Sequence, residues 1–353
     1  MNYLQKISLI IILTIVFPNN GNGTTTANFL EIDVGSRATS MGGAYVSLCD
    51  DPTAIFWNPA GLTFVKDTET SFMYQPYWDD TSIIFMGIAS SLNNSSYIGA
   101  GFLLFNWGDI EQTDLIYQDG TGVIFNPSEY SFSLSYARKF VDWFSFGSSV
   151  KFISSNLDVG RVSGNAFALD FGVMINTDFF SSNNQKKGLK IGMSISNYGS
   201  RLKYDNGIGL LLPNDISEDN GNWDNLLTQV YSEGNELPLN FRIGCSLTPI
   251  NSLKHSMTLS LDAVHPNNNS EFINAGFEYA RIIPGVATIR LNSGYKGLFM
   301  QNPDKNNNSE YGPSFGCGLD LYKNNNPYIS LDYSYRTFWT MPNTNMFSIG
   351  LFL

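Results

Sequence analysis

The chain has 353 residues with a formal net charge of −11, and only 14% of them are charged while 14% are aromatic and 43% hydrophobic. An acidic balance is the opposite of the basic footprint a nucleic-acid binder needs. Low charge together with 32 Gly, 26 Phe and 18 Tyr excludes a disordered chain or a coiled coil and points to a large β protein whose aromatics suit a membrane barrel.

The first element reads as an export signal. Lys6 precedes the apolar run ISLIIILTIVF over 7–17, and Pro18 ends it. That run is shorter than the ~20 residues of a spanning helix and matches the apolar core of a signal peptide over residues 1–26. No A-x-A site marks the cut, which is placed between Gly21 and Ala27; an uncleaved helical anchor is the alternative. No Cys lies nearby to carry a lipid anchor.

Residues 27–66 do not alternate. Gly42-Gly43 permits a tight bend. Asp50, Asp51 and Pro52 favour a turn or helix start. Asn58-Pro59 makes a further break. Small residues dominate the first half, from Gly35 to Ala44. Such a segment suits a compact hatch inside a barrel, touching the wall through small residues and Arg37. An ordinary exported strand pair is the competing reading.

From residue 67 onward the pattern changes to period 2. In 254–264 the apolar Met257, Leu259, Leu261 and Ala263 alternate with Thr258, Ser260 and Asp262, and 271–280, 314–320 and 328–336 repeat the alternation. Such runs predict 14 strands, at 68–77, 82–91, 96–107, 129–138, 143–155, 164–177, 188–198, 237–248, 254–264, 271–281, 286–296, 312–322, 327–337 and 344–353. An even number of antiparallel strands of about 9–11 residues with apolar outer faces is the signature of a transmembrane β-barrel. With the mature N-terminus placed in the periplasm, the long connections 108–128, 199–236 and 297–311 all follow odd strands and fall on the extracellular side. The turns 139–142, 249–253, 282–285 and 323–326 fall on the other side, and 178–187 is the exception. The fold expected is thus all-β, with a hatch over 27–66 and a barrel over 67–353.

If the apolar faces meet lipid, the lumen receives Arg242, Asp262, Glu278, Arg290, Asp320, Asp332 and Arg336. Opposite charges on neighbouring strands can pair across the wall. Two readings stand: a polar pathway that orients a ligand, or a packed ionic network that fills the barrel and positions a plug. In either, Arg37 of the hatch can fork onto one or more of Asp262, Glu278, Asp320 and Asp332. Cys49, Cys245 and Cys317 are isolated, and the two histidines are His255 and His265. No metal site, cofactor or catalytic set is expected; Asp262 with His265 alone is a weak pair.

The block GSRATSMGGAYVSLCDDPTAIFWNPAGL resembles the start of the PorV/PorQ family of outer-membrane proteins, itself similar to the FadL long-chain fatty-acid transporters. The tripeptide Asn58-Pro59-Ala60 is shared with the FadL-like start, and LSLDAVHPNNNSEFINAGFEYA, LPLNFRIG and LNSGYKG also look like PorV/PorQ segments. The resemblance implies a 14-stranded barrel with an N-terminal hatch in the outer membrane of a Gram-negative-type envelope. It further implies a component of, or shuttle for, type IX protein secretion, with secreted cargo proteins or secretion-machine subunits as partners beside outer-membrane lipid. The alternatives are a FadL-like passive transporter of a hydrophobic small molecule and a barrel with no transport activity. An enzyme and a nucleic-acid partner are not expected. Two features depart from the family pattern: the chain ends MFSIGLFL with its last aromatic, Phe352, penultimate, and the connection 199–236 is acidic through Asp215, Glu218, Asp219 and Asp224.

Overall fold

The computed structural model describes residues 23–113, 115–158, 162–180, 188–205, 233–300, 310–324 and 326–353. Residues 1–22 of the expected signal peptide, 181–187 of the exceptional turn, and 206–232 with Asp215, Glu218, Asp219 and Asp224 lie outside the described residues.

Fourteen strands form the wall: β1 (Thr68–Pro76), β2 (Ser82–Ser91), β3 (Ser96–Asn106), β4 (Ser128–Val141), β5 (Phe144–Asp158), β6 (Val162–Asn176), β7 (Lys190–Gly199), β8 (Asn240–Asn251), β9 (His255–Pro266), β10 (Phe272–Ile283), β11 (Ala287–Leu298), β12 (Tyr311–Lys323), β13 (Asn326–Phe338) and β14 (Thr344–Phe352). Each pairs antiparallel with its neighbours in sequence, and β1 pairs with β14 through registers such as Phe72 opposite Ile349, so the sheet closes. Period 2 is legible in each strand because one face meets lipid and the other the interior. Leu331 lies beside Leu319 of β12 and Ile349 of β14, building an outward apolar stripe. Cys317 is exposed on the outer face, Cys245 is half-buried and Cys49 is buried. Among the described residues three short strands lie outside the wall: 110–111 pairs with 124–125 in the connection after β3, and 203–205 extends the edge of β6.

The connections 92–95, 142–143, 252–254 and 284–286 leave one rim, and the long connections 107–127, 200–239 and 299–310 leave the other. Short turns are periplasmic in bacterial barrels, so the long-connection rim faces outward. Residues 25–65, ahead of β1, lie mostly buried inside the wall. Two short helices, α1 (Ser36–Ser40) and α2 (Ala54–Trp57), and the 3-10 turn 59–64 are almost wholly buried there, while the 3-10 turn 28–31 buries Phe29 and Leu30.

One expectation is corrected. The segment does not begin on the periplasmic side: Thr26 donates its N–H to the Glu236 carbonyl at 3.0 Å and Asn268 Nδ2 donates to Thr25 Oγ1 at 2.8 Å, both at the long-connection rim. Strand parity places only the start of β1. A segment that crosses the lumen before reaching β1 starts at the opposite end.

Leu261 and Leu331 are both more than 40% exposed on the lipid face. Leu261→Arg should cost insertion about 2–4 kcal/mol, whereas Leu253→Arg, in a turn at the rim, should cost at most ~1 kcal/mol. Unfolding titrations in detergent or bilayers check the difference; equal costs would mean that the outward face has been misassigned.

Candidate functional site: the lumen and its inner segment

The inner segment runs from the outer rim to the periplasmic rim and meets two different walls. On the side of β10–β14 the contacts are ionic and polar. Asp33, only 4% exposed, receives Lys296 Nζ at 2.8 Å on one oxygen and Arg336 Nη2 at 2.5 Å on the other. Arg336 Nη2 also donates to the Thr39 carbonyl at 3.1 Å. Burial by itself would raise the Asp33 carboxyl, but the Lys296 and Arg336 charges outweigh it and hold it at about 2.

One turn further on, α1 presents Arg37. Its Nε and Nη2 fork onto Glu278 of β10 at 2.6 and 2.9 Å, and Nη1 donates to Asp50 at 2.8 Å. A planar guanidinium held by two carboxylates fixes the direction of the helix as well as its position. Burial works against ionised Asp50, yet the adjacent Arg37 charge holds its carboxyl below the usual range. Asp51 goes the other way, pushed up by burial and then by Asp50; it accepts from the Tyr45 hydroxyl and the Thr53 N–H.

The helix stops at Gly42 and Gly43, both in the left-handed region at φ +67° and +76°. Gly42 carries a second constraint: a Cβ there would overlap the Tyr295 backbone of β11. The wall yields in the same way. A Cβ at Gly294 would overlap the backbone of Met41 and Gly42, and one at Gly147 would overlap Pro59 and Ala60. Close approach therefore comes from wall glycines at least as much as from the small residues of the segment.

Asp262 of β9 and Asn58 tie down the middle and end. Asp262 Oδ2 accepts the Val46 N–H at 2.8 Å. Asn58 Nδ2 donates to the Val46 and Val173 carbonyls, both at 3.0 Å, while its Oδ1 accepts from Ala60 and caps the turn that starts at Pro59. On the opposite wall the contacts are apolar. Ile55, Leu62 and Phe56 join Ile83, Phe85, Leu103, Phe105 and Ile153 in one buried cluster.

The seven lumen charges expected from alternation do not form one network. Arg290 of β11 pairs with Asp320 of β12 and, at 2.8 Å, with Asp332 of β13. It reaches Asp332 across Gly318, where a Cβ would stand 2.9 Å from the guanidinium. Glu278 and Arg336 turn instead to the inner segment, and Asp262 to its backbone. Arg242 of β8 meets no carboxylate among the described residues; it lies 5.4 Å over the Trp57 ring and donates to Ser196 Oγ at 3.1 Å.

Sequence reasoning passed over Asp33, Lys296, Lys151 and Asp170. Lys151 of β5 and Asp170 of β6 are both nearly inaccessible and lie 2.7 Å apart. Alternation itself marks three of them, since Lys296 shares the parity of Arg290, Lys151 that of Ile153, and Asp170 that of Ala168 and Gly172. Asp33 sits in a stretch with no period and carries no such signal.

Two cavities flank the segment. A vestibule of about 690 Å³ opens at the short-turn rim, lined by Arg37, Asp50, Asp51, Glu278, Arg290 and Asp320 among others. A smaller one of about 70 Å³ lies toward the long-connection rim beside Asp33, Trp57, Arg242 and Lys296. Among the described residues no group of three or more His, Cys, Asp or Glu side chains is placed to hold a metal.

Asp33→Asn leaves Lys296 and Arg336 facing each other in the interior and should destabilise the seating of the segment by ~3–5 kcal/mol. Protease cutting within 28–66 should accelerate while the barrel keeps its heat-modifiable gel shift; unchanged cutting would count against the anchor. Because the folded value of about 2 lies below the ordinary 3.8, the Asp33 contribution is complete above about pH 4 and is lost as pH falls through about 2. Hydrogen exchange of the segment should follow that window, and Asp33→Asn should flatten it.

Comparison with solved structures returns outer-membrane barrels. The Pseudomonas putida toluene transporter TodX aligns at TM-score 0.54 and 13% identity, over 90% of this chain and 96% of that one. A Pseudomonas aeruginosa FadL homologue aligns at 0.53 and 12%, over 90% and 98%. The Ralstonia pickettii toluene transporter TbuX aligns at 0.51 and 12%, also over 90% and 98%. At that identity the likeness is one of fold. No curated protein matches the sequence. Residues 18–250, however, match the family model described as type IX secretion system protein PorV. The chain is therefore an outer-membrane β-barrel of FadL-like fold and belongs to the PorV family of type IX secretion system proteins.

Proposed function

We propose that this protein serves type IX protein secretion as a closed docking barrel, engaging secreted proteins or secretion-machine subunits at the outer membrane. The observation that carries this reading is the family match over 18–250, and the filled lumen supports it. Residues 27–66 act as a plug anchored by ion pairs to β10–β13 and by apolar packing to β2–β5. A barrel with its lumen filled in this way offers surfaces and rims to a partner.

A passive lane for hydrophobic molecules is the competing reading, and the fold is shared with proteins described as toluene transporters. Apolar ligands need a largely apolar, pre-formed pocket. Both cavities described above are instead bordered by charged side chains, and the larger ends against the Arg37–Glu278 pair. The signal peptide over 1–26 would deliver the chain to this location.

Isolation of the tagged chain from its native outer membrane in mild detergent should bring down secretion-machine subunits or proteins in transit. Deletion of the gene should leave the exported proteins inside the cell envelope. Isolation without such partners, combined with faster uptake of toluene or a fatty acid into liposomes carrying the barrel, would transfer the assignment to the transport reading.

A further inference from the structure

The vestibule at the short-turn rim has the dimensions of a binding site. Its volume of about 690 Å³ falls inside the roughly 300–1,000 Å³ of a small-molecule pocket. The wall there carries little side-chain volume: Ser330, Gly350 and Ser71 stand side by side across β13, β14 and β1 and line the space.

Charge decides what the space can take. Among the described residues the lining holds seven carboxylates and four cations. One of the seven, Asp142, is offset by Lys139 outside the lining. Arg37 is shared between Glu278 and Asp50, and Arg290 between Asp320 and Asp332, so each guanidinium serves two carboxylates. That leaves Asp51 and Glu69 with Lys190, whose Nζ lies 4.8 Å over the Phe64 ring, and Lys66, which is exposed. Carboxylates remain in excess.

Glu69 is where the excess is least matched. It is only 5% exposed and lines the vestibule. Among the described residues its one hydrogen bond comes from the Lys66 N–H to Oε1 at 2.9 Å, and no salt bridge reaches it. The charges of Asp50 and Asp51 bear on it, opposed by that of Lys66. A buried carboxylate is costly unless it is paired. Burial and Asp50 push the Asp51 carboxyl up, as happens where negative charge gathers.

The shape of the group that would answer this charge is also constrained. Among the described residues no three carboxylates converge in the way a metal ion requires. The near-complete burial of Glu69 admits only a slim chain. An ammonium group at the end of a flexible stem has three donors and can serve two separated carboxylates.

We propose that the vestibule is a periplasmic binding site for a primary ammonium group on an extended chain, held against Glu69 and Asp51. A lysine side chain of a polypeptide and a polyamine both carry that group. The site lies at the rim opposite the long connections and does not rest on the docking reading.

The test uses the purified full chain in detergent at about pH 8, where an alkyl ammonium stays charged. The probes are an N-acetylated pentapeptide amide with a central lysine, the same peptide with that lysine acetylated, and spermidine, each followed by calorimetry. The lysine peptide or spermidine should bind at least about tenfold more tightly than the acetyl-lysine peptide, because charge-assisted hydrogen bonds are about twice as strong as neutral ones. Tighter binding of the peptide assigns the site to a polypeptide, and tighter binding of spermidine assigns it to a polyamine. Glu69→Gln, which keeps an acceptor for the Lys66 N–H, and Asp51→Asn should each weaken binding about tenfold. Asp142→Asn, at an exposed turn residue, should leave it unchanged. Each variant is checked for the heat-modifiable barrel, and either of the first two suffices if the other fails to fold. No binding of either cation at about 1 mM, equal binding of the acetylated peptide, displacement by equimolar magnesium, or unchanged affinity in whichever of those two variants folds would each overturn the proposal.

Discussion

Everything in this molecule follows from the absence of water in the bilayer core. Each backbone N–H and C=O there must find a partner within the protein, which for strands means a sheet without edges. Pairing of β1 with β14 supplies that closure. A closed sheet of 14 strands necessarily encloses an interior, and the alternation that turns leucines and aromatics to lipid turns every second residue into that space. The inner segment, the ion pairs and the two cavities are consequences of having a lumen to fill.

The filling is asymmetric. One wall holds the segment with apolar side chains, the other with Asp33–Lys296–Arg336 and Arg37–Glu278. Apolar packing stabilises in proportion to area and is tolerant of direction. Forked ion pairs and paired buried charges are directional and specify a single seat. Wall glycines such as Gly294 and Gly147 let backbone meet backbone, so the segment lies against the wall with little room between. This combination describes an inner segment whose position is set chiefly by the ionic wall.

Fold and family speak to different questions here. The FadL-like architecture is shared with barrels at 12–13% identity, and architecture alone hosts unrelated functions. The family match addresses the role, and the chemistry of the lumen addresses how that role is carried out. The charged borders of both cavities are features of these particular residues and not of the barrel.

Alternation alone was enough to place all 14 strands within a few residues, to identify the lipid face at Leu261 and Leu331, and to direct Arg242, Asp262, Glu278, Arg290, Asp320, Asp332 and Arg336 inward. These are local properties: a side chain two residues on returns to the same face whatever lies beyond. Pairing is not local. Parity says that Glu278 points inward but not that it meets Arg37, 241 residues away in sequence. It says the same of Arg336, and nothing marks Asp33, its partner, inside an aperiodic stretch. The start of the inner segment at the outer rim, the seat of Arg242 over Trp57 and the reach of Arg290 across Gly318 were decided only by closure of the barrel, because they depend on distances between strands that the order of residues along the chain does not contain.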